Sequence, residues 1–223
     1  MSGHIVVVAN GVFSRRKTPQ ERLRALVRGA DTIVAADGGV NWLQRQGLAP
    51  AALIGDLDSA RPTLVRRLAS SGCVIQRYLP TKDETDTELA LLYAAREAPE
   101  SITIIGALGG RLDHELGNIM LLALPALRGI ATAIYDGTSW VRLLQAGQMI
   151  VHGSAGDTVS LLPLGGDCQG VRTSGLGYPL NDETLRFGPA RGVSNFMLSE
   201  KAQIEVRVGR LLVVHTPTEE RRP

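Results

Sequence analysis

Ala51-Ala52-Leu53-Ile54-Gly55-Asp56-Leu57-Asp58-Ser59 reads as a short apolar strand running into an acidic turn, and Pro62–Ser70 behind it reads as a helix. An unbroken apolar run between turn signals suits a strand buried on both faces. The same grammar extends in both directions. Ile5–Ala9 is a buried-strand run ending at Asn10-Gly11, and Thr18-Pro19-Gln20-Glu21 opens a helix with an N-cap, a proline in the first turn and an acid behind it. Thr32–Ala36 ends in Asp37-Gly38-Gly39, with a short helix over Val40–Gln46. Val74–Tyr78 ends at Pro80-Thr81, and Thr85–Ala98 is a long helix with Leu89, Leu92 and Tyr93 on one face. Ser101–Ile105 precedes Gly106–Arg111, and Asp113–Leu124 is the next helix. Strands alternating with helices specify an α/β unit, a Rossmann-like parallel sheet covered on both faces, over residues 1–137.

After Asp136 the pattern changes to period-two strands and turns: Trp140–Leu144, Thr158–Leu162, Gln169–Thr173, Gln203–Val208 and Leu211–His215. Gly and Pro punctuate them and no helical pattern appears. Residues 138–218 are expected to form a small all-β sandwich, with Thr216–Pro223 as a frayed polar tail.

Composition narrows the class. Over 223 residues, 24 Lys+Arg balance 22 Asp+Glu to a net charge of +2, which gives no general footprint for nucleic acid or an acidic membrane. The N-terminus has no basic region before its apolar run, and stretches such as Ile119–Leu127 are too short or interrupted to span a bilayer. A cytoplasmic protein is expected. Cys73 and Cys168 fit no metal spacing and read as free thiols.

Ligands of open parallel sheets bind outside the carboxyl ends of the strands. The Asp-rich motifs fall at that edge: Asp37-Gly38-Gly39, Asp56 and Asp58, Lys82–Asp86, and Gly109-Gly110-Arg111-Leu112-Asp113. So many carboxylates in one cleft raise each other's pKa unless a cation intervenes. Mg²⁺ suits such a site, because it takes one or two carboxylates together with substrate phosphates and water. Each motif also has a plainer reading, Gly38-Gly39 as a tight turn and Asp56, Asp58, Asp83, Thr85 and Asp86 as helix caps or acidic first turns. Four acid-bearing loops on one edge make four independent caps the weaker explanation. Arg111 beside Gly109-Gly110 suits phosphate held by backbone N–H groups and a guanidinium. His114 is a possible base. No Gly-Lys dipeptide occurs, which excludes the usual P-loop, and the first strand lacks G-x-G-x-x-G.

These motifs in order, joined by Gly156-Asp157-Thr158-Val159-Ser160-Leu161, Gly175-Leu176-Gly177-Tyr178-Pro179-Leu180 and Gly192-Val193-Ser194-Asn195, resemble those of the thiamine pyrophosphokinase family over about residues 5–215. The resemblance implies transfer of the pyrophosphoryl group of ATP to the hydroxyl of thiamine, giving thiamine diphosphate and AMP. It implies a homodimer with active sites between one subunit's α/β domain and the other's β domain. By motif position, Asp56, Asp58 and Asp86 would hold Mg²⁺, and Arg111 and Asp113 would contact phosphate and substrate. Asp37, Gly38, Lys82, Asp83, Thr85, Gly109 and Gly110 would line the ATP site, and Tyr178, Ser194 and Asn195 the thiamine site. Some relatives stack a late Trp on thiamine, whereas Trp42 and Trp140 are the only two here, so stacking would fall to Tyr178 or Phe196. Asp83 or Asp113 could accept the hydroxyl proton. Two rival readings are a Mg²⁺-dependent phosphatase with Asp56 as nucleophile, whose supporting downstream Lys could after residue 86 only be Lys201, inside the β-unit, and a non-catalytic nucleotide or thiamine sensor.

Overall fold

The computed structural model describes residues 3–218, and the chain divides after Gly137 into two compact units. In the first, β1 (His4–Val8), β2 (Thr32–Ala36), β3 (Ala52–Gly55), β4 (Val74–Arg77), β5 (Ser101–Ile105) and β6 (Ala131–Tyr135) form a parallel sheet in the order β6-β5-β1-β2-β3-β4. Helices α1 (Lys17–Arg28), α2 (Gly39–Arg45), α3 (Pro62–Ser70), α4 (Asp86–Arg96) and α5 (Leu112–Met120) supply the connections. Val6, Val7, Val8, Leu53, Ile54, Ile102 and Ile104 are fully buried, as unbroken apolar runs in a doubly covered sheet require. The chain moves outward from β1 to β4 and then returns to β5 on the other side of β1. The crevice outside the carboxyl ends of β1 and β5 is therefore the topological switch point.

Several boundaries differ from the sequence reading. Helix α1 begins one residue before Thr18, with Arg16 as an extended N-cap that makes no side-chain cap bond; Pro19 is tolerated because its missing N–H falls in the first turn. The helix expected over Asp113–Leu124 stops at Met120 and continues as 3₁₀ turns at Leu121–Ala123 and Pro125–Leu127. Leu124 is extended between them (ψ 132°), the conformation imposed on a residue before proline. Strand β6, not expected from the sequence, follows these turns.

The second unit contains β7 (Trp140–His152), β8 (Thr158–Pro163), β9 (Cys168–Ser174), β10 (Glu183–Leu185), β11 (Asn195–Phe196) and β12 (Lys201–Thr216). What reads as two late strands is one, β12, paired with β7 on either side of a bulge in which three residues after Val206 face one residue of β7. Ala146 (φ 24°) and Gly209 (φ 110°) accommodate the bend. The bulge shifts the buried phase from Ala202, Ile204 and Val206 to Leu211, Val213 and His215, so both halves turn apolar side chains inward. It also divides the partners of β12. β9 pairs with the first half and β8 with the second, so the two sheets of the sandwich share β7 and β12. Thr216 is paired in β12 and Thr218 is hydrogen-bonded to Asp157 and Gly156 rather than frayed, and residues 219–223 of the expected tail lie outside the described residues.

Candidate active site

A cavity of about 430 Å³ opens at the carboxyl ends of the parallel strands. Its lining comes from the loops after β1, β2, β3 and β5 and from the start of α4 and α5. The β1 loop is laid against the β5 loop by Ala9 N–H to Ile105 O (2.8 Å) and Gly11 N–H to Gly106 O (2.7 Å). A Cβ on Gly11 would collide with the Gly106 carbonyl, so glycine here is a condition for the two loops to meet.

The acidic floor is built by turns. Asp37 follows β2 in a left-handed conformation (φ 39°) and is buried; its N–H donates to Ile54 O at 2.8 Å and its Oδ1 accepts the Ser59 N–H at 3.3 Å. Burial pushes its carboxyl above the ordinary range, against the lowering effect of the Ser59 and Gly38 hydrogen bonds, and the Asp86 and Asp58 charges add to the rise. Asp56 Oδ1 accepts the Asp58 N–H (3.2 Å) across Leu57, itself left-handed at φ 64°, and Asp58 Oδ1 accepts from Ser59 Oγ (2.8 Å). One oxygen each of Asp37, Asp56 and Asp58 lie within 4.8 Å of one another. Asp86 is tied to Lys82, whose Nζ is 2.8 Å from Asp86 Oδ1 and 3.6 Å from Asp56 Oδ2. The oxygen cluster thus includes Asp37 in place of the expected Asp86.

Thr85 performs the capping role that its position suggested, with Oγ1 accepting the Glu88 N–H at 3.1 Å, and it also lines the cavity. Gly110 and Arg111 line the cavity too, but their donors are engaged. Gly110 N–H donates to Glu115 Oε1 (2.6 Å), and the Arg111 fork grips Asp113 through Nε to Oδ1 (3.2 Å) and Nη2 to Oδ2 (2.6 Å). Hydrogen bonding from Arg111 holds the Asp113 carboxyl below its usual range. Asp83, Gly109 and Asp113 are exposed and outside the lining, Lys82 is outside it too although it touches Asp56 and Asp86, and Gly38 is the N-cap of α2, where a Cβ would collide with the Asn10 amide. His114 is on the rim.

The sequence reading passed over Asn10, Glu115 and Asn118. All three line the cavity, and Asn118 Nδ2 anchors the β5 loop through Ala107 O at 2.8 Å. For Glu115 and Asn118 a signal was available in the i, i+4 and i, i+7 spacing from Arg111 along α5, which places them on the face of that loop.

In the second unit, Asn195 is buried and satisfies the backbone around it. Its Oδ1 accepts from Tyr178 N and Phe196 N (2.9 Å each) and its Nδ2 donates to Tyr178 O (2.7 Å). This cross-tie presents Tyr178, exposed, edge-on to Phe196 with centroids 5.7 Å apart. Ser194 is left-handed (φ 62°), and its N–H donates to Ser160 Oγ at 3.0 Å. Tyr178 and Asn195 border a small cavity of about 130 Å³, of which Ser194 is not part.

Comparison with known proteins agrees with this division. The model of the thiamin pyrophosphokinase catalytic domain matches residues 23–133, and that of the thiamin pyrophosphokinase vitamin B1 binding domain matches residues 148–212. The chain is 28% identical over 184 residues to a thiamine pyrophosphokinase of Bacillus subtilis, covering 82% of this chain and 86% of that one. It resembles the crystal structure of thiamine pyrophosphokinase from Bacillus subtilis with a TM-score of 0.83 at 25% identity, over 97% and 100% of the two chains. The yeast thiamin pyrophosphokinase structure shares the fold, with a TM-score of 0.78 at 16% identity over 96% and 86%. With both of its domain models matched in order and the acidic residues of the crevice lying inside the catalytic one, the chain belongs to the thiamin pyrophosphokinase family.

Proposed function

We propose that this chain performs the reaction for which its family is named, moving the pyrophosphoryl group of ATP to the hydroxyl of thiamine with release of AMP. The observation that carries this reading is the convergence of Asp37, Asp56, Asp58 and Asp86 with Gly110 and Arg111 on one crevice at the switch point. Three hard carboxylate oxygens in close array fit Mg²⁺, so Asp37, Asp56 and Asp58 are the residues that would hold it. When bound, the ion would neutralise charge on the transferring phosphates.

The chain's own groups supply the rest. Arg111 is exposed and paired only with its neighbour Asp113, so its fork can turn to phosphate oxygens at little cost. Asp113, with both carboxylate oxygens gripped by the Arg111 fork, is a weak proton acceptor while that pair persists. The β5 loop, pinned by Asn118 and Glu115, gives the polyphosphate a fixed wall. For thiamine, Tyr178 and Phe196 offer a pair of exposed aromatic rings set edge to face in the second unit.

A homodimer is part of the proposal. It is supported by the exposed apolar stripe Leu112, Leu116 and Met120, which recurs every fourth residue along α5 beside the crevice. Two free thiols, Cys73 and Cys168, favour a cytoplasmic setting, and no helix among the described residues is long and apolar enough to cross a membrane.

The test is product identity. With ATP, Mg²⁺ and thiamine, AMP and thiamine diphosphate should accumulate one for one, and Asp56→Ala should abolish both while its thermal transition persists. Formation of ADP, or undiminished turnover in the variant, would remove this mechanism.

A further inference from the structure

Asp37, Asp56, Asp58 and Asp86 crowd one side of the crevice, and Lys82 is in contact with two of them, Asp56 and Asp86. Its side chain is only 12% exposed, and its Nζ bridges Asp86 at 2.8 Å and Asp56 at 3.6 Å. Arg111, the other permanent cation at the crevice, is engaged by Asp113. Asp56 therefore belongs to two groups. It shares Lys82 with Asp86, and it stands with Asp37 and Asp58 in the oxygen cluster suited to a divalent ion. One carboxylate cannot serve both cations fully, because an ammonium and a metal ion brought to the same oxygens repel each other.

We propose that Lys82 is a resident counter-ion that competes with the divalent cation for Asp56, so that metal binds weakly until a polyphosphate draws the lysine away. This inference rests on reading the crevice as a metal–polyphosphate site. Neighbouring carboxylates in a partly buried site repel one another, and Lys82, bridging Asp56 and Asp86, offsets that repulsion when no substrate is present. A divalent ion arriving alone must either push the ammonium off Asp56, leaving it short of a partner in a confined place, or share the carboxylate with a like charge. Either event weakens binding. A polyphosphate removes the conflict, because the ammonium is a compact charge with three donors on a flexible stem and can exchange Asp56 for phosphate oxygens. Lys82 lies four residues before Asp86, in the loop leading to the Thr85 cap, so the exchange needs only a side-chain rotation and leaves α4 in place. Metal and nucleotide then strengthen each other's binding by the same factor, and Lys82 is a positioning residue that sets that factor.

The experiment measures Mn²⁺ binding by the loss of the free-ion electron paramagnetic resonance signal, for the wild type, Lys82→Met and Lys82→Arg. Each is measured alone and with α,β-methylene-ATP, which cannot donate its pyrophosphoryl group. Without nucleotide, Lys82→Met should bind Mn²⁺ about tenfold more tightly than wild type, a factor ordinary for coupled sites, whereas Lys82→Arg should resemble wild type. The gain in Mn²⁺ affinity produced by the analogue should be severalfold smaller in Lys82→Met. Unchanged or weaker Mn²⁺ binding in folded Lys82→Met, or an undiminished gain from the analogue, overturns the proposal. If the Met variant does not fold, Lys82→Gln is read by the same criteria. AMP formation by the wild type tests the underlying functional reading separately: a chain that makes no AMP but gains Mn²⁺ affinity on loss of Lys82 keeps the counter-ion and loses the activity.

Discussion

At the scale of single residues, the crevice holds two kinds of internal partner, a lysine facing the acids and carboxylates facing the phosphate loop. Glu115 is the clearest of the second kind. Gly109 is left-handed (φ 81°) and neither Gly109 nor Gly110 carries a side chain to restrain the loop, so the 2.6 Å bond from Gly110 N–H to Glu115 fixes it to α5. Without that bond the loop must be ordered when ATP binds, which costs conformational entropy. A hydrogen bond to a charged group contributes about 1.5 kcal/mol, equivalent to roughly a tenfold change in kcat/KM. Glu115→Ala should lower kcat/KM for ATP by about that factor and speed hydrogen exchange at Gly110. Glu115→Gln retains an acceptor oxygen and should recover most of the loss. Equal exchange rates and equal kinetics in the two variants would show that Glu115 does not order the loop.

At the scale of elements, the long strands of the second unit are tied at their ends by one buried pair. Asp157, in the turn before β8, meets His215 Nε2 near the end of β12 at 2.9 Å and accepts N–H bonds from Ser154 (2.9 Å) and Thr218 (2.8 Å). Burial works to raise the Asp157 pKa, but the Thr218, His215 and Ser154 donors outweigh it, and the carboxyl lies below its ordinary value of 3.8. A depressed folded-state pKa gives stability that is fully present above the unfolded value and is lost as pH falls through the folded one. Asp157→Ala, which leaves buried donors unpaired, should destabilise by about 2–3 kcal/mol near neutral pH. Its deficit in Tm relative to wild type should shrink only below about pH 4. A deficit constant from pH 7 to pH 3 would mean that the carboxylate's charge is irrelevant to the tie. The pair joins residues 58 positions apart, which is why periodicity along β8 and β12 exposes the strands but not their latch. The bulge is hidden for a related reason: the apolar phase reverses across Arg207-Val208-Gly209 and reads as a break between two strands, when one strand bends. Strand β6 escaped because two 3₁₀ turns, not a helix, lead into it. The crevice was legible through its charged members, since acids at strand ends stand out. Asn10 and Asn118 carry no charge to mark them, and the pairing of Asp113 with Arg111 depends on rotamers that spacing does not specify.

At the scale of the whole molecule, the exposed face of α5 bears on assembly. Leu112, Leu116 and Met120 are 70%, 49% and 58% exposed, and they follow one another at the four-residue spacing of a single helix face. Isolated exposed apolar residues need no explanation, but a continuous stripe on the helix that also carries His114, Glu115 and Asn118 into the crevice favours a covering surface. A second copy of the chain is the occupant proposed, and it would couple assembly to activity because the same helix serves both. Leu116→Glu should leave monomer stability within about 0.5 kcal/mol of wild type, since the side chain is half exposed before association. Sedimentation of the wild type at assay concentration should give twice the 23.8 kDa chain mass, and the variant should sediment as the single chain. AMP formation by the variant should fall in step with dimer content and recover as protein concentration is raised, because association follows mass action. A wild-type monomer, or a monomeric variant with full activity, would place the complete site within one chain and assign the α5 stripe to another role.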